Sequence, residues 1–118
     1  MQQHELNEAV HLYLCRCFEA EETPRVSELA GMLGVTRERL SRDFAAAHGV
    51  ALSTYLKSYQ LNLAQQLLVA SELTTTRIAY QCGFGTRRTF HRAFRRATGM
   101  SPAQYRRKQI PTPITKCL

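Results

Sequence analysis

The sequence predicts an all-α fold: two helix-turn-helix units joined by a long linker helix, about seven helices in all. Three observations predict it. The composition is 44% hydrophobic with no Trp and few Pro or Gly, which favours packed helices over disorder. Residues 29–57 recur, in pattern, as residues 78–107. The segment between the two copies keeps apolar residues at three- and four-residue steps.

The elements follow in chain order. LNEAVHLYLCRCFEA places Leu6, Val10, Tyr13, Leu14, Cys17 and Phe18 on one stripe and predicts a leading amphipathic helix. A short apolar helix is then predicted over about 25–33. Gly34 suits its left-handed end, and Thr36 can cap the next helix, which runs to His48. The linker helix covers ALSTYLKSYQLNLAQQLLVAS, with Tyr55, Leu56, Tyr59, Leu63, Leu67 and Leu68 as its apolar positions. The second copy repeats the grammar: a short helix over about 76–82, Gly83, Phe84, the cap Thr86, and a helix to Thr98. Leu40 corresponds to Phe90, Arg42 to Arg92, Phe44 to Phe94, Gly49 to Gly99 and Tyr55 to Tyr105. Ser101-Pro102 starts a short closing helix, since Pro is welcome in a first turn. These elements divide the chain into a first subdomain over 1–70, a second over 71–108 and a loose tail over 109–118, which holds two prolines.

The net charge of +7 is unevenly spread. Residues 1–24 carry five acids and one base, whereas residues 25–118 carry fifteen bases and four acids. Residues 85–108 alone hold eight bases and no acid. Surface helices usually mix signs to gain i,i+4 pairs, so this segment implies a polyanionic partner. The charges do not compete with the core. Phe90, Phe94 and Ala97 are expected inward, and Arg87, Arg88, His91, Arg92 and Arg95 outward. In the first copy Leu40, Phe44 and Ala47 are expected inward, with Glu38, Ser41, Arg42 and Ala45 opposite. A linker of ~20 residues spans about 30 Å, close to the roughly 34 Å turn of B-DNA. One chain can then hold two recognition helices in successive major grooves of one duplex, and a tandem repeat calls for an asymmetric site rather than a palindrome.

The segment IAYQCGFGTRRTFHRAFRRATGMSPAQYRR resembles the DNA-binding domain of the AraC/XylS family of transcription regulators. It carries Ile78-Ala79, Gly83-Phe84, Phe90 with Phe94, Gly99 with Pro102, and Tyr105-Arg106 in that family's pattern. The resemblance covers about residues 6–108. It implies two recognition helices in adjacent major grooves of double-stranded DNA and transcription regulation of bacterial promoters, usually activation through contact with RNA polymerase. The four cysteines show no disulfide framework, so a reduced, cytoplasmic setting is expected, with the protein at the bacterial nucleoid. No segment remains for the effector-binding domain that many members carry, so a short stand-alone regulator or an excised C-terminal domain is expected. Gln60 stands where the family commonly has Arg, and Gly85 where Ser, Asp or Glu often follows Gly-Phe, which leaves the capping to Thr86.

Carried over residue by residue, the resemblance assigns base reading to Glu38, Ser41 and Arg42 in the first unit and to Arg87, Arg88, His91 and Arg92 in the second. Arginine reads guanine through paired bonds to O6 and N7, or else holds a phosphate. Glu38 either accepts from a cytosine N4 or pairs with Arg42 one turn on. Phosphate contacts are expected from Thr36, Arg37, Thr86, Arg95, Arg96, Arg106, Arg107 and Lys108. The alternative reading is a non-specific nucleic-acid or anionic-surface binder in which the arginines act only as charge. No catalytic constellation is visible, and no cofactor is expected. His11 and Cys15 sit four apart, but a structural zinc needs about four ligands and no others are well placed. No apolar run reaches the ~18 residues of a membrane span.

Overall fold

The computed structural model describes residues 3–109, and within them the chain forms seven α-helices and no strand. They are α1 (Gln3–Ala20), α2 (Val26–Leu33), α3 (Arg37–His48), α4 (Leu52–Ala70), α5 (Thr75–Gln81), α6 (Arg87–Thr98) and α7 (Pro102–Gln109). The tail expected after Lys108 lies outside the described residues apart from Gln109, the last residue of α7.

Two hydrophobic clusters make the core, one for each copy of the repeat. The first gathers Leu6, Val10, Tyr13, Leu14 and Cys17 from α1 with Leu29 and Ala30, Leu40 and Phe44, and Leu52 and Leu56. The second gathers Ala64, Leu68, Ile78, Ala79, Cys82, Phe84, Phe90 and Phe94. Helix α4 therefore belongs to both clusters: its first half closes one and its second half closes the other. A boundary drawn at residue 70 keeps α4 whole in the first subdomain, whereas the packing divides it. Both inward stripes are as the periodicity predicts, except that Ala97 is exposed and Ala47 only half-buried. Ala97 instead lines an open furrow between α4 and α6. Tyr105 closes the second cluster edge-on to Phe94, with ring centroids 5.2 Å apart.

Where the two clusters meet, α4 buries a polar residue. Gln60 is 2% exposed, and its Nε2 donates to the Cys82 carbonyl at 3.0 Å, at the C-terminal end of α5. A neutral amide thus couples α4 to the second unit at the position where the AraC/XylS pattern commonly has a charge. Replacing Gln60 by Leu removes the donor and leaves that carbonyl unbonded in a buried place. The expected loss is about 1 kcal/mol of stability, read from the midpoint of denaturant unfolding.

The loop between α1 and α2 makes a second seam with the other unit. Glu21 pairs with Arg77 through both carboxylate oxygens, one of them at 3.1 Å. Thr23 donates from Oγ1 to the Gly83 carbonyl at 2.6 Å. Each of these contacts joins residues more than fifty positions apart in sequence. They brace the two helix-turn-helix units against each other, in addition to the shared helix.

Cys15 is exposed and Cys17 buried, on different sides of α1. Burial pushes the Cys82 thiol up to about 12, which keeps it neutral within the second cluster. No helix among the described residues is long and apolar enough to cross a membrane.

Candidate nucleic-acid interface

Helices α3 and α6 start with the same device. Thr36 and Thr86 have extended backbones, and their hydroxyl oxygens accept from the amides of Arg39 and Thr89 at 3.1 and 3.0 Å. The Thr86 hydroxyl donates in turn to Thr89 Oγ1 at 2.9 Å. Thr86 therefore does the capping that Gly85 cannot, and its proton is already engaged in the free domain. These caps set the first turns of α3 and α6, from which the charged stripe runs on.

Beyond the caps, the helices present the predicted faces. Glu38, Arg42, Arg87, Arg88 and Arg92 are exposed, while the equivalent residues Ser41 and His91 are half-buried. Arg37, Arg95, Arg96, Arg107 and Lys108 are also exposed. Among the described residues the ion pairs are Arg39–Asp43 at 3.7 Å and Arg77–Glu21. Glu38 and Arg42 are thus not paired with each other, and Asp43 is taken by Arg39. In the second unit the positions of Arg39 and Asp43 are Thr89 and Ala93, so no carboxylate stands beside Arg92.

Two of the expected contact residues are held by the fold. Arg106 is half-buried: its Nε donates to the Leu68 carbonyl at 2.9 Å and an Nη to the Ser71 carbonyl at 3.2 Å. It caps the C-terminal end of α4, where unpaired carbonyls favour a cation, and ties α7 to that helix. His91 packs edge-on against Phe90, with ring centroids 5.9 Å apart, and its Nε2 is buried with no hydrogen-bond partner. Burial first, and the neighbouring Arg87 second, hold its pKa below the usual histidine value. With Nε2 buried, the ring offers a groove at most its other nitrogen.

The structure also brings forward a residue that the sequence reading passed over. Lys57 lies in α4, exposed, with its ammonium 5.4 Å from the centroid of the Phe84 ring. It borders a furrow of about 410 Å³ between α4 and α6, together with Leu61, Thr89, Arg92 and Arg96. It also borders a furrow of about 360 Å³ on the other side, together with Arg25, Ser27, Arg37 and Ser53. Lys57 thus sits between Arg37 at the start of α3 and Arg92 on α6. The sequence did carry a signal for it, since Lys57 is the only charged residue of α4.

A family model described as a helix-turn-helix domain matches residues 29–108, both copies of the repeat. A solved regulator from Chromobacterium violaceum, described as an AraC-type DNA-binding domain-containing protein, superposes with a TM-score of 0.74 at 32% identity, over 94% of this chain and 96% of that one. The chain belongs to the AraC-type helix-turn-helix family. A second AraC-type likeness is the DNA-binding domain of AdpA, a global transcriptional factor solved in complex with a target DNA. Its TM-score is 0.77 at 30% identity, over 92% of this chain and 96% of that one. The HTH-type transcriptional regulator Rv1931c of Mycobacterium tuberculosis is 35% identical over 83 residues, 70% of this chain. This AraC-type chain spans 32% of that regulator's length. The family's members are DNA-binding transcription regulators and not enzymes.

Proposed function

We propose that the chain binds a specific, asymmetric double-stranded DNA site by placing α3 and α6 in adjacent major grooves, and so regulates transcription from bacterial promoters. The observation that carries this reading is the unbroken helix α4. Its 19 residues span about 28 Å between two capped, outward-facing helices, near the pitch of a DNA turn. The molecule is 45 Å in its longest dimension, enough to reach across two successive grooves. In this reading Arg42 and Arg92 occupy equivalent places and read one base each, with Glu38, Ser41, Arg87, Arg88 and His91 around them. Thr36, Arg37, Thr86, Arg95, Arg96, Arg107 and Lys108 hold phosphates and set register. Activation through RNA polymerase follows the family's habit and belongs to the same proposal, as does a cytoplasmic setting.

Titrating labelled duplexes with the chain at several salt concentrations tests the reading. A site selected from random duplexes should bind ~10³-fold or more tighter than unselected DNA. Equal affinity for all duplexes, or attraction to anionic vesicles as strong as to DNA, would replace it with binding by charge alone.

A further inference from the structure

We propose that Lys57 is a third DNA contact, which holds a backbone phosphate where the duplex passes between the two recognition helices. The proposal rests on the two-groove reading and adds a site at its centre. Four observations carry it.

Helix α4 is otherwise uncharged along its whole length, so its one cation is placed and not part of a general basic surface. That cation stands where two furrows meet, one running to Arg37 of the first unit and the other to Arg92 and Arg96 of the second. Neither furrow is lined by a carboxylate, so among the described residues no lining acid neutralises the band that they form. The ammonium lies over the Phe84 ring at 5.4 Å, an attraction that restrains a long side chain without using any of its three donors. Phe84 is itself buried in the turn that leads into α6, so the position of Lys57 is referenced to the second recognition helix.

The geometry fits a phosphate better than a base. With recognition helices in two successive major grooves, what faces the middle of the rod is the sugar-phosphate backbone beside the intervening minor groove. A lysine is a compact point charge suited to such an oxygen, and it adds affinity without adding base code. Thr89 and Arg96, which border the same furrow, can complete the seat.

The test uses the chain with its selected DNA site, random duplexes, and a series of duplexes that carry one neutral methylphosphonate at successive central phosphates. Lys57→Gln is expected to bind both selected and random DNA several-fold more weakly, with the preferred motif unchanged. The slope of log affinity against log salt should become shallower by about 0.9, the value for one lost phosphate contact on B-DNA. At one or two central positions a methylphosphonate should weaken the wild-type chain several-fold and leave Lys57→Gln unaffected, and Lys57→Arg should restore most of the loss. Circular dichroism melting of the variants, with Lys57 exposed, should match the wild type. Wild-type affinity and slope in a folded Lys57→Gln would overturn the proposal while the two-groove reading stands. Equal sensitivity of wild type and variant to every central methylphosphonate would do the same. A wild-type chain that prefers no site over random DNA would instead remove the reading beneath it.

Discussion

Replacing Arg92 by alanine should weaken binding to the selected DNA site by about 1–3 kcal/mol and relax base preference within one half of it. The side chain is exposed on α6, one turn beyond the capped start of the helix and two residues past the buried Phe90. No acid of the described residues pairs with it, so its guanidinium costs little to commit to a guanine edge. Arg42 is its equivalent on α3, and Arg42→Ala should relax the other half of the site instead. Arg96→Ala, by contrast, should weaken all sequences alike and flatten the salt dependence. Site selection from random duplexes with each variant separates these outcomes, and an unchanged motif with Arg92→Ala would remove that residue from the reading set.

The second large effect is on the fold. Gly83→Ala should destabilise the domain by about 2–5 kcal/mol, the combined cost of a left-handed backbone and an overpacked contact. Gly83 has φ near +80°, and a β-carbon there would lie 2.5 Å from the Glu22 carbonyl oxygen and 3.3 Å from the Pro24 ring. The nearest atom is backbone from the α1–α2 loop, so no side-chain rotation can relieve it. The carbonyl of Gly83 itself accepts from Thr23, so the damage falls on the seam between the two units. The repeat supplies an internal control. Gly34 is the equivalent glycine, with φ near +70°, and a β-carbon there meets nothing within 4 Å. Gly34→Ala should therefore cost only the backbone part, roughly 1–2 kcal/mol. Thermal or denaturant unfolding of the two variants measures the difference, and equal losses would mean that the seam does not constrain Gly83.

Most of the fold was legible because its determinants are local. The apolar stripes of α1, α3, α4 and α6, the capping threonines and the glycine turns all act within a few residues, and the repeat states the architecture twice. The charged faces of α3 and α6 were legible for the same reason, since helical spacing separates them from Leu40, Phe44, Phe90 and Phe94. What stayed hidden depends on pairs distant in the chain. Arg106 reads as one more base in a basic run, and only the packing of α7 beside the end of α4 spends it on the carbonyls of Leu68 and Ser71. Gln60 reads as a departure from a family pattern, and only the position of α5 shows that its amide has a partner. The half-buried ring of His91 follows from its edge contact with Phe90, which spacing alone does not reveal. Lys57 has no periodic pattern to mark it, and its isolation in an otherwise uncharged helix gains meaning only from the two furrows that meet there.

The most direct measurement varies the distance between the two halves of the selected DNA site. With α4 as an unbroken strut, inserting about five base pairs, half of the 10–10.5 base-pair turn, should reduce affinity to that of one half-site alone. Affinity that stays constant as the halves are moved apart would contradict a rigid tandem arrangement and leave two units that bind DNA independently.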